Sequence, residues 1–218
     1  MGRRSQHKPE ELRQLILDAA HRIVEANGVS QLSAREIARA IDYAPGTLYN
    51  MYQNLDEILL RVQVRLLNQL DDRLARDMDG AVGADAVRCF AGSFVAFAHA
   101  QPRLWSLLGE HVMPAEPALP VWFVKPLEAP IVRLEPPLAV VMRSNDAKAI
   151  RRAARTLWCV VHGMTAMSVC AKFGQLDNNT MTHQVTDVID AYLTGLAARA
   201  AKRSTTSRFR EPPPAAPR

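Results

Sequence analysis

The chain has 218 residues, 48% of them hydrophobic, which is enough apolar material for one or two compact domains with a real core. Only 6% are aromatic and no β-branched run alternates for long; the three cysteines, odd in number and set in apolar helical runs, speak against a secreted disulfide framework and for a reducing cytoplasm. The net charge of +5 invites a nucleic-acid reading, but residues 199–218 hold six basic residues against Glu211 and carry the whole excess, while residues 1–56 hold seven of each sign, so a case for DNA has to rest on placement.

The amino terminus, "MGRRSQHKPEELRQ", passes from a basic arm straight into a charged amphipathic segment, with no apolar signal-peptide core. Leu12, Leu15, Ile16, Ala19, Ala20, Ile23 and Val24 then recur at three- and four-residue spacing, which predicts a helix starting at Pro9 and stopped by Asn27-Gly28. A second helix starts at Ser33, with Glu36 three residues on as a capping box, and turns Ile37, Ala38 and Ile41 inward. Asp42-Tyr43-Ala44 is a tight turn into a short helix from Pro45, and Leu55-Asp56-Glu57 opens a long one ending near Asp79-Gly80. A helix over roughly residues 85–100 carries Val87, Phe90, Phe94 and Phe97, and a shorter one carries Leu104, Trp105, Leu107 and Leu108. The seven prolines between 114 and 137 predict loop plus a broken or kinked helix. Two long helices follow, over about 146–173 and 180–202, and the rest lacks the apolar content to pack and is expected to be disordered. The longest apolar run, Leu157 to Ala171, is interrupted by His162, Thr165 and Ser168 and is too short to span a bilayer, so a cytoplasmic protein without membrane contact is expected.

The stretch "APGTLYNMY", residues 44–52, raises a question, because a helix of barely two turns is marginal by itself. Ile37, Ala38 and Ile41 can hold it from behind through Leu48 and Tyr52, with the first helix laid across both, which makes a helix-turn-helix. Its other side carries Thr47, Tyr49, Asn50 and Met51 behind the Pro45-Gly46 start, groups suited to phosphates and to base edges in a major groove. Arg35 is placed for a guanine or a phosphate, though an exposed helix arginine is commonplace. Arg3, Arg4 and Lys8 form an arm suited to the DNA backbone, or simply a soluble tail.

"LSAREIARAIDYAPGTLYNMYQNLDEIL", residues 32–59, resembles the signature of the tetracycline-repressor (TetR) family of bacterial regulators. "LWCVVHG", residues 157–163, is similar to the Trp-His-Gly element in the carboxy-terminal domain of one branch of that family. The resemblance implies an all-α protein: a helix-turn-helix DNA-binding domain over residues 1–56 with its basic arm, and a helical ligand-binding and dimerisation domain over 57–203. Residues 204–218 are left as a basic, proline-rich tail. It also implies base contacts around Thr47, Asn50 and Met51, homodimerisation through the last two helices, and release of a palindromic operator, most often by a repressor, when a small-molecule effector binds. Two positions depart from the family pattern: Asp42 stands where glycine is usual in the turn, and Leu55 where a phosphate-binding lysine often begins the fourth helix.

For the effector, the expected lining is Phe94, Phe97, Trp105, Trp122 and His162, set against the plainer reading that these residues, with Met113 and Phe123, are ordinary core. His99 and His111 are open to the same two readings. No two of the six histidines have the close helical spacing of a zinc site, so no metal is expected. Cys159 and His162 lie three apart, but no third group or oxyanion hole accompanies them; "AGSFV" is no nucleophile elbow and no glycine-rich phosphate loop exists. The chain is therefore expected to be neither an enzyme nor a cofactor binder. Two rivals stay open at this point: an enzyme acting on an apolar small molecule, and a DNA-binding adaptor without a ligand.

Overall fold

The computed structural model describes residues 7–112, 119–169 and 176–208; Arg3, Arg4, Met113, Pro114, Pro117, Cys170, Phe173 and the tail from 209 lie outside them. The described residues form nine α-helices: α1 (Pro9–Asn27), α2 (Ala34–Ala40), α3 (Pro45–Tyr49), α4 (Leu55–Asp77), α5 (Gly83–Ala100), α6 (Pro102–Glu110), α7 (Val121–Met142), α8 (Ala147–Val169) and α9 (Asn178–Arg208). A single 3-10 turn, Val29–Gln31, follows α1.

The head is built from local signals. Pro9 opens α1, and the Glu11 carboxylate accepts from the Lys8 N–H at 3.0 Å, satisfying a donor the helix cannot. Gly28 ends α1 at φ 82°, a conformation that favours glycine. Ser33 caps α2, its hydroxyl accepting from the Glu36 N–H at 3.2 Å. The expected capping box is only half formed, because the Glu36 carboxylate turns outward to Arg39 one turn on. Leu12, Ile16, Ala20, Ile37 and Leu48 close into one core that continues into the body of the protein. Tyr52 joins them, and its hydroxyl donates to the Arg13 carbonyl at 3.0 Å; burial pushes its pKa up to about 12, so it stays a donor.

Asp42 takes the left-handed conformation, φ 57°, that the turn requires. A short polar side chain tolerates this region and a β-branched one does not. Asp42→Val is expected to cost about 1–2 kcal/mol, read as a lower midpoint in urea unfolding without a change of fold.

Helix α4 joins head and body. Asn54 caps it, its side-chain oxygen accepting from the Glu57 N–H at 2.8 Å, and Asp56 and Glu57 suit its positive end. Arg65 ties it to α1, donating to Asp18 at 2.6 Å and Gln14 at 3.2 Å. In the body, α5 is the central helix, with Phe90 and Phe94 fully buried and α4, α7, α8 and α9 packed around it.

The proline-rich segment departs from expectation. Residues 121–142 form one continuous helix, α7, with Pro126, Pro130, Pro136 and Pro137 inside it. Each proline deprives the carbonyl four residues earlier of its helical partner. Burial of Ile131, Leu134, Leu138 and Met142, together with packing on α8, α5 and α4, offsets that loss. Helix α9 also runs further than expected, to Arg208 rather than Lys202. No described helix is long and apolar enough to cross a membrane.

Candidate functional site

Two features of the fold can carry chemistry, the outer side of α3 and a cavity in the body. On α3, Leu48 is fully buried, and this single side chain anchors the five-residue helix on α2. Pro45, Gly46, Tyr49 and Asn50 consequently face outward, with Tyr49 54% exposed. A side chain at Gly46 would meet nothing within 4 Å, so packing inside the protein does not demand glycine there. Thr47 is half-buried, and Met51 packs partly against the core, which leaves it a smaller outward share than its neighbours. Arg35 is exposed at the start of α2 and, among the described residues, pairs with no carboxylate, whereas Arg39 is held by Glu36. Tyr43 is a packing residue, half-buried with its hydroxyl 2.8 Å from His7 Nδ1, and it fixes the end of the basic arm to the turn.

The cavity has a volume of about 330 Å³ and lies between α4 and the helices that follow it. Leu60, Gln63, Leu67 and Leu70 of α4 form one wall at the three- and four-residue spacing of a single helix face. Phe94, Trp105 and Leu108 come from α5 and α6, Phe123 and Leu127 from α7, and Trp158 and His162 from α8; His111 and Leu119 complete the lining. Four rings gather on one side. Trp158 stacks on His162 at 5.0 Å and 8°, Trp105 lies 5.4 Å from His162, and Phe94 meets Trp105 edge-on at 4.9 Å. Burial lowers the His162 pKa, so its imidazole is neutral.

Of the five lining residues expected from sequence, Phe94, Trp105 and His162 are in the wall and Phe97 and Trp122 are not. Phe97 is buried behind it, edge-on to Trp105 at 6.3 Å. Trp122 is 37% exposed on the outer surface, with the Arg61 guanidinium 4.5 Å above its ring. Gln63 and Trp158 line the cavity without having been expected there, Trp158 standing out in sequence only within "LWCVVHG". For Gln63 the signal was legible, an amide inside the apolar stripe of α4.

The polar residues of the wall are chained together. Asp56 can only accept, so His111 Nε2, 3.0 Å away, carries the proton. His111 Nδ1 then accepts from the Gln63 amide, also at 3.0 Å. A continuous series of hydrogen bonds therefore runs from the cavity to the first turn of α4. Helix α6 touches the head at a second point, where Arg103 donates to the Glu25 and Ala26 carbonyls at the end of α1. Among the described residues, no group of three or more histidine, cysteine or acidic side chains is placed to hold a metal ion.

Residues 16–62 match the bacterial regulatory proteins of the tetR family, and residues 87–203 match the tetracyclin repressor-like C-terminal domain. The chain belongs to the tetracycline-repressor family. It is a helix-turn-helix transcriptional regulator, and the α2–α3 pair lies within the matched residues 16–62. An HTH-type transcriptional regulator of Mycobacterium tuberculosis is 20% identical over 195 residues, covering 89% of this chain and 86% of that protein. A second from Bacillus subtilis is 27% identical over 155 residues, 70% of this chain and 76% of its own. Among solved structures, the regulator FadR of Bacillus subtilis in complex with stearoyl-CoA superposes with a TM-score of 0.65 at 17% identity, covering 81% of this chain and 96% of that one. A TetR-family regulator of Streptomyces coelicolor superposes at 0.64 and 18% identity, covering 86% and 97%. At these identities the structural likeness speaks to the fold.

Proposed function

We propose that this TetR-family regulator is a ligand-responsive repressor that binds a palindromic operator as a homodimer and leaves it when a small molecule fills the cavity. The observation that carries this reading is the hydrogen-bonded series Gln63–His111–Asp56, in which His111, at the end of α6 in the cavity wall, is tied to two turns of α4, the helix that enters the DNA-binding head. In the head, Tyr49 and Asn50 reach base edges or phosphates from the exposed side of α3, Thr47 and Arg35 contact the backbone, and the bare Gly46 lets the DNA come close. Two copies of α3 would enter successive major grooves ~34–36 Å apart. The outward stripe Gln184, Val188, Ala191 and Gly195 on α9, with exposed Cys159 and Met167 on α8, supports pairing of these helices with their copies. The stacked Trp158–His162 pair followed by Gly163 supports placement in the branch with the Trp-His-Gly element.

A ligand acts by preferring one of two head spacings, and a coupling of ~1–3 kcal/mol suffices. Helix α6 is well placed to transmit that preference. Trp105, Leu108 and the residue at its end, His111, line the cavity, while Arg103 grips α1 and His111 grips Asp56. The cavity suits a largely apolar effector.

The test uses Asp56→Ala, which cuts the series at its head end and removes no residue of α3. Operator affinity is followed by fluorescence anisotropy, with and without the first compound found to raise the melting temperature of the parent. The parent is expected to lose ~5–150-fold in operator affinity on ligand binding. The variant is expected to bind operator and compound yet lose most of that response. An unchanged response would show that the coupling runs elsewhere.

A further inference from the structure

The cavity wall also carries the chemical class of its ligand, an inference that rests on the cavity being the effector site. Among its described lining residues there is no lysine, arginine, aspartate or glutamate. Both imidazoles are occupied or neutral. His111 is held between Gln63 and Asp56, and burial keeps His162 uncharged. A charged group placed in this wall would lose its hydration and find no counter-charge among the described lining residues. The volume, about 330 Å³, lies at the small end of the ~300–1,000 Å³ usual for ligand sites.

Among the described residues of this apolar wall, two fully buried polar atoms lack a protein partner. The indole Nε1 of Trp105, a residue only 2% exposed, is buried with no acceptor, and His162 Nδ1 is buried with no partner either. An indole N–H can only donate, so what it lacks is an acceptor. The Gln63 side-chain oxygen likewise receives no hydrogen bond among the described residues, since its amide nitrogen makes the contacts to His111 and the Leu107 carbonyl. The four rings beside these groups offer one stacked and two inclined faces, an arrangement that favours a flat partner over a flexible chain.

We propose that the cavity takes a small uncharged aromatic molecule bearing one hydroxyl or carbonyl oxygen, which accepts from the Trp105 indole N–H while its ring lies among Phe94, Trp158 and His162. Acids, amines and coenzyme A thioesters are disfavoured because the described lining residues offer no counter-charge.

The test is calorimetric titration of the full chain with a matched series: 4-propylphenol, propylbenzene, 4-propylbenzoate and stearoyl-CoA. Propylphenol is expected to bind about five- to tenfold more tightly than propylbenzene, the worth of one satisfied buried donor. The benzoate is expected not to bind. Trp105→Phe, which keeps an aromatic ring and removes the N–H, should abolish the phenol's advantage over the hydrocarbon, so that the two bind the variant equally. Should that variant melt early, Gln63→Leu, which removes the side-chain oxygen able to accept the phenol O–H, provides a second reading on the same wall and is expected to narrow the gap between phenol and hydrocarbon. Tighter binding of the benzoate or of stearoyl-CoA, equal affinities for phenol and hydrocarbon, or no binding in the series would overturn the assignment. Operator release, measured separately on the same samples, divides the two claims. A phenol that binds without releasing DNA removes the effector reading and leaves the ligand class standing. Release by stearoyl-CoA alone does the reverse.

Discussion

Tyr49→Ala is expected to lose at least ~30-fold in operator affinity while melting at the parent temperature. The side chain is 54% exposed on the outer side of α3, and among the described residues it belongs to no core cluster and its hydroxyl makes no hydrogen bond. Removing a surface tyrosine of this kind leaves stability within about 0.5 kcal/mol. Against DNA the arithmetic differs, because one base-edge contact is worth about 1–3 kcal/mol and a dimer loses it twice. Anisotropy titration on the operator, beside thermal unfolding of the same protein, checks both halves of the expectation. Parent-like affinity would mean that α3 does not present Tyr49 to the DNA.

The neighbouring substitution fails for the opposite reason. Leu48 is fully buried between α3 and its supports. A Leu→Ala change at such a site costs about 2–5 kcal/mol in lost burial and an unfilled cavity. Since α3 has only five residues and one buried side chain, little else can hold it. Leu48→Ala is therefore expected to abolish operator binding by loosening the head, with the helical body largely intact. Amide hydrogen exchange distinguishes this from a lost contact: protection falls across α2 and α3 in Leu48→Ala and stays at the parent level in Tyr49→Ala. Equal protection in the two variants would place the support of α3 elsewhere.

The contrast between these two residues shows why the head was legible in sequence. Its determinants are local. Gly28 at φ 82°, Ser33 as cap, Asp42 at φ 57° and the inward Ile37–Leu48 pair all lie within a short stretch of chain, each with its own sequence signal. The Asn54 cap of α4 was legible in the same way, with Glu57 three residues on, and it is the leucine at 55 that draws attention from it. Helix α7 was not legible, because four prolines argue locally for a break while the burial that overrides them comes from α5 and α8, distant in sequence. The cavity was legible in part. Phe94, Trp105 and His162 stood out as large or polar residues in apolar runs, but the sequence spacing of 48 residues between Gln63 and His111 hides that they meet. Trp122 was misplaced for a related reason: a tryptophan suggests burial, and here Arg61 covers its ring at the surface.

We propose that the exposed side of α3 reads sequence. The most direct measurement is selection of bound DNA from a random pool at near-physiological salt, run in parallel with the full chain and with Tyr49→Ala. A palindrome whose half-sites lie about one helical turn apart, enriched by the parent and lost in the variant, is the predicted result. Retention of sequence-independent DNA with a steep dependence on salt would contradict it, because binding would then come from phosphate contacts made by the basic ends of the chain. The same motif recovered with the variant would contradict it equally, since sequence would then be read by some other part of the head.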